Sequence, residues 1–214
     1  MKIKLLQHNS LKEEIGWLAA ATCVNSNSCS AANLKAALSS NHLSILEHIT
    51  FTFLISDVSR ALTHQLIRHR IASYSQCSQR YARVNTDTNW YITPKSFYDC
   101  NLDNEYAQLM VNISNFYNKM LEKGIPKEDA RYVLPNACKT NLIMTVNARA
   151  FIEQAKQRLC NRAQWEIRNL YEKMCKEVVI LYPCLKPFLY PPCLIDKCKE
   201  KHPCKNPPVK KINI

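Results

Sequence analysis

The sequence predicts a mixed α+β chain, and three observations carry that expectation. Residues 47–55 alternate apolar Ile49, Phe51, Phe53 and Ile55 with His48, Thr50 and Thr52, the two-residue period of a half-buried strand. Residues 142–147 form a short apolar run that reads as a second, buried strand. Leu102, Tyr106, Leu109, Ile113, Phe116 and Met120 recur at four- and three-residue steps, the period of an amphipathic helix over 101–123.

From the N-terminus, residues 2–6 suit a short strand, and 11–23 and 31–38 suit helices that Ser10 and Ser30 would cap. His48 sits at the polar edge of the 47–55 strand, where it either bonds a neighbouring carbonyl or meets a ligand. Ser59 is a natural N-cap for a helix running to Ile67, with Leu62, Leu66 and His69 on one face and Gln65 and Arg68 on another. Residues 73–80 hold many hydrogen-bond donors and no glycine, so they read as an ordered loop or short strand. Gly124 ends the 101–123 helix, and Pro126 opens a short helix that Pro135 stops. Arg131 lies in that short helix, either as a surface cation or as a ligand contact. The 142–147 strand leads into a helix over 148–158. A last long helix over 163–181 carries Ala163, Ile167, Leu170, Met174, Val178 and Leu181 on one stripe, as core or subunit interface.

With 214 residues and 47 % hydrophobic content the chain has material for a substantial core. It lacks an apolar run of about 18 residues, and the segment MKIKLLQHNS lacks the apolar centre of a signal peptide, so a cytoplasmic, membrane-free protein is expected. Eleven scattered cysteines then read as reduced thiols. The net charge of +12 calls for acidic partners. Gly16 and Gly124 are the only glycines, which excludes both the glycine-rich dinucleotide fingerprint and the phosphate loop. A nucleotide here would be held by Arg, Ser and helix N-termini.

The chain changes character near residue 183. We expect a unit over 1–183 and a basic, Pro- and Cys-rich tail over 184–214, loosely ordered. Cys193-x4-Cys198-x3-His202-x-Cys204 fits no common zinc finger, and no metal is expected.

The densest chemistry lies in RHRIASYSQCSQRY, where Arg68-His69-Arg70 is followed after seven residues by Ser78. It reads as an anion-binding segment or as a basic helix end whose arginines cap carbonyls. Asn147 and Arg149 stand at a strand-to-helix junction, a common place for ligand contacts. A basic RNA-binding module is the competing class, weakened because Tyr and Phe fall mostly on apolar stripes. A cysteine nucleophile in a Pro-Cys-His context is disfavoured too: none of Pro183-Cys184, Pro192-Cys193 and Pro203-Cys204 is followed by His.

Taken together, EHITFTF at 47–53, the segment 65–81, ARYVLP at 130–135, TVNAR at 145–149, Arg158 and AQWEI at 163–167 resemble the flavin-dependent thymidylate synthases, in that family's order. The resemblance covers roughly residues 40 to 185 and not the tail. It implies a homotetramer of α+β subunits, each a small antiparallel sheet packed with long helices, with active sites at subunit interfaces. It implies reductive methylation of dUMP to dTMP with FAD as cofactor and NADPH and 5,10-methylenetetrahydrofolate as co-substrates, without an enzyme cysteine nucleophile and without nucleic acid. By position, Gln65, Arg68, Gln76, Ser78, Gln79, Arg80, Arg131 and Arg158 would surround dUMP, with Arg158 the catalytic group along the uracil. His48, Thr50, Arg68, His69, Arg70, Gln76, Asn147, Arg149 and Glu153 would line the flavin. Cys77 would be a small packing residue. Gln76, Glu153 and Arg162 depart from the family's usual residues, and Ala20–Val24 matches its N-terminal segment loosely.

Overall fold

Ser59 marks the corner from which the architecture is easiest to follow, because a strand ends and a helix begins there. The computed structural model describes residues 1–195, 197, 198 and 200–204. Residues 196, 199 and 205–214 of the expected tail lie outside the described residues. Four strands form one antiparallel sheet in the order β1-β2-β4-β3, where β1 is Lys2–His8, β2 Thr50–Ser59, β3 Ser73–Gln76 and β4 Lys139–Asn147. In the central register Phe53 faces Leu5 on one side and Met144 on the other. The helices are α1 Glu14–Cys23, α2 Ala31–Ser39, α3 Arg60–Leu66, α4 Lys95–Asp99, α5 Asp103–Glu122, α6 Lys127–Ala130, α7 Ala148–Arg158, α8 Trp165–Leu181 and the single turn α9 Pro192–Ile195.

The period-two pattern does in β2 what alternation requires. Phe51, Phe53, Ile55 and Val58 are fully buried, while Thr52 stays on the open face, where its hydroxyl meets that of Thr145 at 3.0 Å. The buried face packs under α7 and α8 through Phe53, Phe151 and Tyr171, whose rings stack at 5.9 and 6.0 Å. The α8 stripe Ile167, Leu170, Met174 and Val178 belongs to this same core, fully buried within the single chain. Among the described residues no helix is long and apolar enough to cross a membrane.

Several boundaries differ from expectation, each for a local reason. The first helix starts at Glu14, without a cap from Ser10, because Lys12 has φ 46°, outside helical space. Ser30 does cap α2, its backbone N–H and hydroxyl both donating to Asn33 Oδ1. Residues Leu43–His48 form a 3-10 turn, so Glu47 and His48 precede the strand instead of opening it. Asn9 closes that turn, donating to His48 O at 3.2 Å and accepting from Thr50 N at 2.7 Å. Residues 73–76 settle as strand, and the last helix begins at Trp165 because Gln164 caps it.

The stripe expected on α5 is only partly its packed side, Tyr106 and Ile113 packing on the protein and most of the rest turning outward. Met110 and Tyr117 are the buried residues of α5, Met110 in a small cluster with Trp90 and Cys138 and Tyr117 accepting from Val84 N at 3.1 Å, while Leu102, Leu109 and Phe116 face outward. This helix rests on the satellite cluster and not on the sheet core, so its apolar period has a face left over. The loosely ordered segment expected after 183 instead starts with a 3-10 turn, Pro183–Phe188. Its Leu185, together with Leu189, lies fully buried in the main core.

Ser59 ties these layers together. Its hydroxyl accepts from Leu62 N at 3.0 Å, capping α3, and donates to Glu166 Oε2 at 2.5 Å, while its N–H donates to Glu166 Oε1 at 2.8 Å. Glu166, in the first turn of α8, is 2 % exposed. Ser59→Ala removes a cap and leaves a buried carboxylate one donor short, so we expect about 2–4 kcal/mol of destabilisation. Urea unfolding checks this as a lower midpoint at unchanged slope; a loss below about 0.5 kcal/mol would show that the contact is incidental.

Candidate active site

The short helix α3 ends at Leu66, and the chain then turns to present Arg68, His69 and Arg70. Two contacts fix that turn. His69 N donates to Leu66 O at 3.1 Å, and the Tyr74 hydroxyl on β3 lies 3.0 Å from both Leu66 O and His69 O, sharing one proton between two carbonyls. Burial pushes the Tyr74 hydroxyl up to about 12, so it remains a donor.

Arg158, the last residue of α7, reaches the same place from the other layer. Its Nε donates to His69 Nε2 at 2.8 Å and its Nη2 to Gln65 O at 3.3 Å. Accepting at Nε2 requires an uncharged imidazole with its proton on Nδ1. Burial, reinforced by the Arg158 charge, lowers the His69 pKa to about 4, which keeps the ring neutral. The ring also packs edge-on to Tyr171 at 6.2 Å, and Tyr171 donates to Gln154 at 2.8 Å.

A cavity of about 730 Å³ opens beside this pair. Arg68, His69, Arg70, Asn147, Arg149 and Glu153, six of the residues singled out for a flavin, line it together with Glu47 and Gln157. Arg68 and Arg70 have no hydrogen-bond or ion-pair partner among the described residues. Arg149 pairs with Glu47 at 2.5 Å, and Glu153 with Lys156 at 2.9 Å. Asn147 caps α7 by accepting from Ala150 N at 2.8 Å, so the α7 N-terminus is anchored at this wall. Glu153 and Gln157 also line a second cavity, of about 700 Å³, and that one contains Arg158. The two spaces therefore adjoin along α7.

The remaining predicted residues stand elsewhere. Arg80 pairs with Glu128 at 2.5 Å, and Arg131 Nε donates to Glu128 O at 3.1 Å, so one glutamate links both arginines. Gln79 lies beside Arg131 on one small concavity and beside Ser78 on another. Gln76 points its amide at Thr63 and Thr140, at 3.1 and 3.3 Å, and is on neither large cavity wall. His48 and Thr50 are also outside those linings. Cys77 is exposed instead of packed, its carbonyl accepting from Arg60 Nη2 at 2.8 Å.

The arrangement can take a flat, anionic ligand. Guanidinium groups surround the opening, uncharged acceptors orient Arg158, and no glycine loop is involved. Sequence reasoning missed Tyr74 and Tyr171, which hold His69, and Glu47, which holds Arg149. Tyr74 lay inside the singled-out motif and Glu47 opens the EHITFTF segment; nothing in the chain order marks Tyr171.

A family model described as thymidylate synthase complementing protein matches residues 4–184. The chain is 37 % identical to the flavin-dependent thymidylate synthase of Clostridium tetani and 41 % identical to that of Geobacter sulfurreducens, over 94 % of this chain and 91 % of each relative. It is 42 % identical to the Sulfolobus acidocaldarius protein of the same name, over 77 % of this chain and 63 % of that one.

The neutral His69 has a measurable consequence. The unfolded chain takes up the proton near 6.5 and the folded chain near 4, so between these values the unfolded state binds more protons. The contribution is complete above about 6.5 and lost progressively as pH falls through 4. His69→Gln keeps a hydrogen-bond acceptor available to Arg158 without titrating, and should flatten that decline. Denaturant midpoints of both proteins across this range test it; parallel curves would contradict the assignment.

Proposed function

The chain belongs to the flavin-dependent thymidylate synthase family, and we propose that it converts dUMP to dTMP with 5,10-methylenetetrahydrofolate as carbon donor and NADPH as reductant. The observation that carries this reading is the meeting of Arg68, His69, Arg70, Asn147, Arg149 and Glu153 on one cavity that adjoins Arg158. The catalytic unit is read as residues 1–183, completed by the packing of Leu185 and Leu189.

The donor set suits FAD. The cavity falls within the size range of cofactor sites. Arg68 and Arg70, lacking protein partners among the described residues, suit the paired phosphates, and Arg149 beside the α7 N-terminus adds positive potential. When bound, the flavin supplies the redox chemistry, accepting hydride from NADPH and returning the electrons that complete the methyl group.

Arg158 is the residue placed along the uracil. Uracil C5 becomes a nucleophile when negative charge spreads onto O4 and N3, and a fixed guanidinium stabilises that charge. His69 Nε2 and Gln65 O hold the group without neutralising it. Ser78, Gln79, Arg80 and Arg131 supply the phosphate end, with Gln65, Arg68 and Gln76 completing the nucleotide's surroundings. No cysteine nucleophile is invoked.

In one chain the phosphate-end residues and Arg158 line separate concavities. We therefore read the active site as an interface structure in a homotetramer. The exposed Leu109 and Phe116 on α5, with Tyr132 at 85 % exposure, support copies of the chain covering one another.

The purified protein should show flavin absorption and form dTMP from dUMP, methylenetetrahydrofolate and NADPH. Arg158→Ala should lower kcat by about a hundred- to thousandfold with unchanged thermal unfolding. Near-normal turnover by that folded variant, or a colourless protein that cannot be reconstituted with FAD, would overturn the reading.

A further inference from the structure

Away from the two cavities along α7, three cations that the sequence reading did not single out share one wall. Arg60 from the first turn of α3, Arg83 and Lys139 from the start of β4 line a cavity of about 330 Å³ together with Ser78. Asp57 and Asn141 are on the same wall, where β2 leaves register with β4 between Ile55 and Val58 and Asp57 takes φ 58°. An irregularity of this kind bends a strand and re-aims its side chains.

Each of the three cations is held by a neutral oxygen. Arg60 Nη2 donates to Cys77 O at 2.8 Å, Arg83 Nη2 to Asn118 Oδ1 at 2.9 Å, and Lys139 Nζ to Asn89 Oδ1. Among the described residues none of the three is ion-paired. The single carboxylate on this wall, that of Asp57, pairs with Lys2 at 3.5 Å. Arg60 Nε is buried and has no partner among the described residues, so the guanidinium keeps donors that the protein does not use. The Ser78 hydroxyl accepts from Arg80 N at 3.2 Å, which leaves its own proton to donate. Three like charges gathered this way repel one another, and a bound anion relieves that repulsion.

We propose that Arg60, Arg83, Lys139 and Ser78 form a site for a phosphate monoester. Such a group carries close to two negative charges at neutral pH and three acceptor oxygens. That matches three cations set against one carboxylate already paired, whereas a carboxylate ligand would answer only part of the charge. The cavity has the small end of ligand-site volumes, enough for the phosphate and its sugar but not for a whole dinucleotide. The proposal rests on the functional reading above, in which two molecules bring this group: dUMP at its 5′ carbon and NADPH at the 2′ position of its adenosine. Arg80, by contrast, is tied to Glu128.

Equilibrium titrations of the full-length chain with dUMP, deoxyuridine, NADPH and NADH test the site without requiring turnover. In the wild type at least one pair should differ, its phosphate-bearing member binding at least about a hundredfold tighter. Arg60→Met/Lys139→Met should shrink that ratio about thirtyfold and leave the partner lacking the monoester unchanged. Loss of the dUMP preference assigns the site to the nucleotide, and loss of the NADPH preference assigns it to the reductant. A folded variant that keeps every preference of the wild type would overturn the proposal, and so would a wild type that has none. Should the double variant fail to fold, Arg83→Met at an exposed residue decides: the ratio should fall about tenfold, and an unchanged ratio overturns the site. Absence of dTMP formation would sink the functional reading while these binding ratios still judge the site.

Discussion

The buried carboxylate of Glu166 is the constraint on which the remaining structure depends. It takes both polar hydrogens that Ser59 can offer, at the point where β2 becomes α3. A carboxylate removed from water is tolerated only when hydrogen-bonded, and stripping its partners costs several kcal/mol. The last residue of a central strand, the first turn of α3 and the first turn of α8 therefore move together. The α8 N-terminus adds favourable potential, and Gln164 accepts from Glu166 N and Ile167 N to close that end. Because α3 is only two turns long, its direction is set almost entirely at this corner, and that direction decides where Arg68, His69 and Arg70 emerge.

The site's electrostatics follow from what does and does not neutralise each arginine. Arg80, Arg149 and Arg162 are each paired with a carboxylate, in half-exposed ion pairs of the kind that contribute at most about 1 kcal/mol to stability. Arg158 is different, since a neutral imidazole and a backbone carbonyl orient it. Its positive charge remains available to a ligand. The cost of this choice is borne by His69, whose protonation would place two cations 2.8 Å apart. Burial under Tyr171 and the Arg158 charge act in the same direction to prevent it.

What the sequence made legible was local. The β2 alternation, the Ser59 and Ser30 caps and the α8 stripe are decided by neighbours within one element, and the structure keeps them. Six of the nine flavin-site candidates meet on one cavity because they occupy two chain turns, 68–70 and 147–153, that neighbouring elements hold side by side. The partners that hold them were not legible. Glu166 reaches Ser59 and Glu47 reaches Arg149 across about half the chain, and nothing in residue order pairs a particular carboxylate with a particular donor. The outward half of the α5 stripe, Leu102, Leu109 and Phe116, was not legible for a related reason. Periodicity reports that a helix has an apolar face, without saying whether this chain or another copy covers it.

The division of cationic side chains within one chain is itself an argument about how the site is completed. Helix α3 and the turn after it serve the two groups: Arg60 and His64 of the helix line concavities with Ser78, Gln79 and Arg131, whereas Arg68 and His69 of the turn serve the cavity adjoining Arg158. These two sets share no lining residue. Gln76, whose amide bonds Thr63 on α3 and Thr140 on β4, lines neither set. A nucleotide that touched Arg131 with its phosphate and Arg158 with its base would have to span two concavities that share no lining residue. If both arginines serve the same molecule, they must come from different copies of the chain, and assembly becomes a precondition of catalysis instead of a separate matter of stability. The outward-facing Leu109, Phe116 and Tyr132 are then the expected correlate of a half-site, because a surface that must meet another copy cannot also be buried against its own core.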